Sequence, residues 1–221
     1  MKIPPQAFSS LNQYQNCPHA YRLQRVDKVM AFVESEQMRW GNVVHKNLEN
    51  ALTINEPLLD SISWLNNTVD TLKTSEAVLH VEQEVAINAD LSPSTFWDST
   101  CWMRGKVDLA ARYPHVTVQL DWKTGTRKVG QTEQLMLFAG FEFALNPACE
   151  TVKTGYAWLK EKKIDVTVYE RKQVPMIWGH FIPKMDRLAK SFETGEWPMK
   201  PSGLCGGCSA TKLQCKHVKE R

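Results

Sequence analysis

Two neighbouring stretches of this 221-residue chain carry side chains whose types and spacing could do hydrolytic chemistry. Asp121 and Lys123 stand two residues apart at the end of the apolar run VTVQLDWKTG, and period two puts both on the same side of a strand. Asp108 lies on the preceding stretch, WMRGKVDLAARY, joined to the first by the short turn Tyr113-Pro114-His115. Paired as an antiparallel hairpin, these stretches would bring two carboxylates and an ammonium together. Hard oxygen ligands of this kind suit Mg²⁺ or Mn²⁺, and a lysine beside them can orient or polarise an attacking water and stabilise charge at phosphorus. D-x-K alone also describes an ordinary solvated turn. The apolar context points the other way, because a carboxylate set directly after buried strand residues is costly unless something pairs with it.

A second set of chemically capable residues is the cysteines. Cys17 stands near the start, and Cys205, Cys208 and Cys215 form C-x2-C-x6-C within the last 17 residues. Four thiolates suit either an iron–sulfur cluster or one tetrahedral zinc ion, and Gly206-Gly207 would let backbone wrap closely around a metal. Cys101 and Cys149 fit buried small hydrophobes better.

These residues need elements to hold them. The spacing predicts a short helix through Leu11 and Tyr14, capped by Ser9 or Ser10 and ended by Pro18, a helix from about Met38 to Leu52, and a third over Leu58 to Leu72. Period-two stretches follow: VLHVEQEVAI and the two strands of the hairpin. A helix from about Gln131 to Leu145 comes next, then the strands TVKTGYAWL and KIDVTVYE around a charged turn at Lys160, Lys162 and Lys163, and a last helix over Pro175 to Phe192. Helices, strands, helix, strands, helix describe an α/β chain with a mixed sheet and helices on its faces. At 43% hydrophobic residues it can bury one substantial core, and its length favours one domain.

Composition bounds the partners loosely. A net charge of +3 from 27 basic and 24 acidic residues permits a polyanion without identifying one. Arg104, Lys106, Arg127 and Lys128 bracket the acidic hairpin and are candidates for DNA phosphate contacts, with Trp97, Trp102 and Trp122 nearby. We read the tryptophans chiefly as packing; Glu82 and Glu84 could supply a third carboxylate or support the site from behind, and are read first as the polar side of an alternating strand. No apolar run is long enough for a membrane span and the first residues lack the core of a signal peptide, so the expectation is a soluble protein of the cytoplasm, or of a host cytoplasm if phage-encoded.

In order along the chain stand G-x-x-x-H (Gly41 to His45), G-x-x-D (Gly105 to Asp108), D-x-K-T-G (Asp121 to Gly125) and Q-x-x-x-F (Gln134 to Phe138). This series resembles the RecB-like nucleases of the PD-(D/E)xK superfamily. The resemblance implies a restriction-endonuclease-like core, a mixed central sheet flanked by helices. It makes His45, Asp108, Asp121 and the backbone carbonyl of Trp122 the ligands of Mg²⁺ or Mn²⁺, Lys123 the catalytic lysine, and Gln134 a group that orients the scissile strand or supports the lysine. Phe138 stands where the family has tyrosine, which keeps the packing and loses the hydroxyl. The cysteine pattern is similar to that of AddB-type and CRISPR-associated exonucleases, where a 4Fe-4S cluster staples the chain ends; zinc is the alternative.

The organisation so implied is a cysteine cap formed by residues 1–37 and 196–221 around a catalytic core, 38–195. The implied activity is DNA hydrolysis, as an exonuclease on single strands or duplex ends in recombination, repair or phage DNA processing, with a recombinase or helicase as an imaginable partner. The competing expectation is a metal-stapled DNA-binding or partner-binding module that keeps the fold without efficient turnover.

Overall fold

A computed structural model describes residues 3–30, 34–130 and 132–218. The chain forms two units: Ser35–Gly179, and Met1–Glu34 together with His180–Arg221. The larger unit holds all the period-two stretches as β1 (Val78–Ile87), β2 (Met103–Arg112), β3 (Val116–Lys123), β4 (Thr151–Trp158) and β5 (Lys163–Glu170). They lie side by side in that order in one sheet. β1, β2 and β3 pair antiparallel, β3 and β4 pair parallel, and β5 returns antiparallel, so the sheet is mixed as expected. The parallel pair requires a crossover, and the helix between Glu133 and Leu145 supplies it.

Numbered along the chain, the helices are α1 (Phe8–Asn16), α2 (Pro18–Tyr21), α3 (Glu36–Ile54), α4 (Asn66–Thr74), α5 (Glu133–Leu145) and α6 (Val174–Thr194). α3 and α4 cover one face of the sheet, where Val44, Leu48, Val69 and Leu72 pack with Leu109, Ala111, Leu120 and Trp122. α5 covers the other. Its residues Leu135, Leu137, Phe138, Ala139, Phe141 and Phe143 are all buried, which explains why this helix is apolar around its whole circumference. Gly105 on β2 makes room for it: a Cβ there would stand 3.1 Å from Phe138 and 3.2 Å from Phe141. The one acidic group on its inner side, Glu142, is paired with the Arg112 guanidinium through two 2.8 Å bonds and accepts a third from Thr117 at 2.9 Å, as a buried charge must.

Element ends depart from expectation for local reasons. α3 begins at Glu36 because the Ser35 side chain accepts the Met38 N–H, and it ends at Asn55 in the left-handed region with φ 61°. The helix expected over Leu58 to Leu72 opens instead as a 3₁₀ turn, Asp60–Leu65, before α4. Asn47 holds the preceding segment out of helix by donating to the Pro57 carbonyl at 3.0 Å and accepting the Leu59 N–H at 2.9 Å. In α1, Ser10 folds back onto the Ala7 N–H at 2.9 Å, so Ser9 and Ser10 occupy the first turn and Ala7 the cap. Gln131, the expected start of α5, lies outside the described residues.

The smaller unit contains α1, α2, a π-helical turn (Arg22–Val26), the α6 residues from His180 onward and the cysteine-rich segment with its 3₁₀ turn Gly203–Gly207. Tyr14 donates to the Arg187 carbonyl at 2.7 Å, and Tyr21 stacks on Trp197 with centroids 5.9 Å apart. Among the described residues no helix is long and apolar enough to cross a membrane.

Candidate active site

The hairpin does bring its carboxylates to one end of the sheet. Asp108 is buried and accepts the Trp122 N–H at 2.8 Å, so its side chain is fixed by the neighbouring strand. α3 adds His45. Gly41, one turn before it, faces Thr124 just after β3, where a Cβ would stand in ordinary contact, 3.4 Å from the threonine hydroxyl. The His45 ring then has Nε2 3.0 Å from the Trp122 carbonyl and Nδ1 3.5 Å from Asp108 Oδ2.

Glu82 also stands here, so of its two readings the structure favours the further carboxylate over the polar side of a strand. The β1–β2 register passes from Val81↔Leu109 to Gln83↔Val107, stepping over Glu82 and Asp108, and Glu82 has φ 52°. Leu79 and Val81 pack on the α3–α4 side, while Gln83 accepts from Arg112 on the α5 side. Between them the strained backbone turns Glu82 toward α3, where its Oε1 is 3.8 Å from His45 Nδ1. Oε2 pairs with Lys106 at 2.7 Å, and Oε1 is buried without a hydrogen bond.

His45, Glu82 and Asp108 offer donor atoms all within 4.8 Å of one another. Neighbouring ligands around an octahedral ion with bonds near 2.1 Å stand about 3 Å apart, the scale of these separations. One buried carboxylate oxygen without a partner, a second carboxylate, an imidazole and a backbone carbonyl at hand make a donor set that fits a divalent cation. The electrostatics point the same way. Burial works against a charged His45 ring, yet the Asp108 and Glu82 carboxylates beside it push its pKa up to about 10. Burial, helped by the charge of Asp108, raises Asp121 to about 6 although Lys123 and His45 oppose it. The pocket is short of positive charge.

Asp121, expected among the ligands, stands close to Asp108 and His45 and is also tied to the lysine and glutamine. One of its oxygens is ion-paired with Lys123, and Oδ1 accepts from Gln134 Nε2 at 3.0 Å. Lys123 in turn donates to Gln134 Oε1 at 3.1 Å, so the Gln134 amide ties the two together. Tyr156, opposite Asp121 in the parallel register, lies under the Lys123 ammonium at 4.9 Å from the ring centroid and donates to Gln134 Oε1 at 3.4 Å. Nothing in its local sequence marks it. Phe138 is core.

The basic residues meet different fates. Lys106 pairs with Glu82; Arg104 lies over the rings of Phe96 and Trp97. Arg127 makes bonds of 2.6 and 2.9 Å to Asp165, and Lys128 is exposed. Trp122 is buried at 2% exposure, but Trp97 is 76% exposed, so the packing expectation fails for it.

In the smaller unit Cys17, Cys205, Cys208 and Cys215 all line one cavity of about 430 Å³. The Ser202 N–H is directed at Cys205 Sγ at 3.4 Å. Among the described residues no three of these sulfurs gather within 4.8 Å. Cys101 and Cys149 are buried elsewhere, as expected.

A hairpin that delivers carboxylates and a lysine to one end of a mixed sheet, with a crossover helix behind it, is the framework of a metal-dependent phosphodiesterase. The sequence model of the PD-(D/E)XK nuclease superfamily matches residues 6–215, and the chain belongs to that superfamily. Its members are nucleases that use divalent metal ions. Among solved structures the chain is similar to the protein SSO0001, at 14% identity and a TM-score of 0.52 over 100% of this chain and 90% of that one. It is also similar to a candidate exonuclease from Eubacterium rectale, at 11% identity and a TM-score of 0.49 over 100% and 95%. At such identity the SSO0001 likeness speaks for the fold. No curated protein matches the sequence.

Proposed function

We propose that the protein hydrolyses DNA phosphodiesters as an exonuclease on single strands or duplex ends, in recombination, repair or phage DNA processing. The observation that carries this reading is the adjacency of two groups: His45, Glu82 and Asp108 beside the Trp122 carbonyl, and Lys123 held by Asp121 and Gln134. Mg²⁺ or Mn²⁺ held by the first group, with Asp121 alongside, would supply a more acidic water and a Lewis-acid contact to a phosphoryl oxygen. Lys123 works next to it. Its side chain, 30% exposed, can reach a bound phosphate with its ammonium and stabilise the charge that develops there. Gln134 and the Tyr156 ring restrain that ammonium before substrate arrives, so little reorganisation is left for the reaction.

The four cysteines, in the same reading, hold a 4Fe-4S cluster that closes the chain ends. Zinc at 2.3 Å would draw four sulfurs to about 4 Å of one another, whereas thiolates around a four-iron cluster stand roughly 6 Å apart. The roomy cavity that all four cysteines line favours iron. Anaerobically purified protein should absorb broadly near about 400 nm; colourless protein with stoichiometric zinc overturns the cluster. For the nuclease, labelled linear single strands, blunt duplexes and closed circles are incubated with Mg²⁺ or Mn²⁺. Mononucleotides or short products from the linear substrates and intact circles are expected. A binding module without turnover would leave every substrate whole, and that result sinks the reading.

A further inference from the structure

Trp97 is the large aromatic that the core of the larger unit leaves most open to solvent on the β1–β2 connection, residues 88–102, yet it is not loosely held. The Arg104 guanidinium lies 4.5 Å from the centre of the Phe96 ring and 4.8 Å from that of Trp97. The two rings meet edge to face at 5.1 Å. Arg104 also donates to the Phe96 carbonyl at 2.8 Å. The connection is fastened to β1 at both sides, by Ser94 N–H to the Ala86 carbonyl at 3.0 Å and Trp102 N–H to the Ile87 carbonyl at 2.8 Å. Thr100 closes it across to Asn88 at 2.8 Å. The exposed indole is therefore oriented in advance, which lowers the ordering cost of binding to it.

Its place relative to the catalytic group is set by β2. Arg104, Lys106 and Asp108 alternate along that strand, and four residues of strand span about 13 Å. Lys106, 53% exposed, lies between the platform and the carboxylates. That distance is about two nucleotides of extended single strand, and Lys106, paired with Glu82 but half open to water, is the basic group on the way for a phosphate.

Resting on the nuclease reading above, we propose that Trp97, clamped by Arg104 and Phe96, is a stacking platform for an unpaired base about two nucleotides from the scissile phosphate. The substrate that enters the site is then single-stranded DNA, or a duplex end once frayed. Bases inside a duplex have both faces taken by their neighbours and cannot use the platform. Because every base has a π-face, the platform confers no sequence preference.

The test uses the full chain in EDTA, a short labelled oligothymidylate and a covalently closed circular duplex, which has no end to fray. Trp97→Ala should weaken binding of the oligothymidylate roughly tenfold or more, and Trp97→Phe should keep it within about threefold. Duplex binding and the salt dependence should be unchanged, since no charge is removed. Walking one abasic nucleotide through the oligonucleotide should weaken wild-type binding at one position and leave Trp97→Ala no weaker there. Equal single-strand binding by wild type and Trp97→Ala, equal losses on both substrates, or no single-strand binding at all would overturn the platform. Cleavage is scored apart. Wild-type cleavage with Trp97→Ala binding undiminished removes the platform and leaves the nuclease; the abasic signature without cleavage does the reverse.

Discussion

Exchanging Glu82 for glutamine keeps the size of the side chain and removes one negative charge, and two views of this residue give different numbers. If Glu82 serves Lys106 alone, the pair is half open to water on the lysine side, with side-chain exposures of 53% and 15%. Its loss then costs at most about 1 kcal/mol of stability and leaves metal binding alone. If Glu82 is a donor in the group with His45 and Asp108, the charge matters to the cation. Unit charges 4 Å apart interact by about 4 kcal/mol at an effective dielectric of 20. The glutamine carbonyl can still coordinate and Asp108 remains, so part of that is recovered; a loss of about 2.7 kcal/mol, or a hundredfold in affinity, is the expectation.

The assay is calorimetric titration of Mn²⁺ into chelator-treated protein, with the free ion followed by electron paramagnetic resonance. Glu82→Gln also frees the Lys106 ammonium beside the site, so Lys106→Met serves as control and should bind Mn²⁺ as tightly as wild type or more so. Mn²⁺ affinity of Glu82→Gln within about threefold of wild type would refute the assignment of Glu82 to the metal group.

Three other outcomes follow from the same geometry. His45 is raised in the folded apo-protein from 6.5 to about 10; its proton therefore stabilises the apo-fold fully below 6.5, and that contribution is lost as pH rises through 10. Within that window a cation must displace the proton, so Mn²⁺ affinity should climb by up to about tenfold per pH unit, with about one proton released near neutrality; heats that do not depend on the buffer would contradict this. Lys123→Ala should bind Mn²⁺ as wild type does and lose turnover by about a hundredfold or more, whereas His45→Ala should lose metal affinity first; single-turnover cleavage beside Mn²⁺ titration separates the two. Arg112→Ala strands Glu142, whose side chain is 1% exposed, and should cost about 3–5 kcal/mol in urea unfolding. Burial alone would raise Glu142, but Arg112 holds it below 4.5, so this stabilisation is present above that value and fades as pH falls below it.

The local patterns carried the fold a long way because they are consequences of covalent geometry. Period two in VTVQLDWKTG sets Asp121 and Lys123 on one side of β3, and the short turn after Tyr113 obliges β2 and β3 to pair. The helical spacing around Trp40, Val44 and Leu48 places His45 on α3. These are relations between residues a few positions apart, where the backbone has little choice.

The sequence could name Glu82 and Glu84 as candidate carboxylates but not choose Glu82, and the cause is specific. Strand alternation assigns it to a solvated face, and only a backbone excursion to φ 52° opposite Asp108 turns it toward His45. No propensity in VEQEV demands that strain; the paired strands and the α3 histidine hold it there. Tyr156 is similar, since it meets Lys123 through the parallel register of two strands joined by α5. The same holds for Arg127, whose charge looked free until β5 supplied Asp165. By itself the sequence determined the class of fold, the hairpin and the D-x-K strand end. Which carboxylates gather beside His45, which basic side chains face solvent and which tryptophan stays exposed were decided by tertiary pairing, because each depends on what lies across the sheet rather than along the chain.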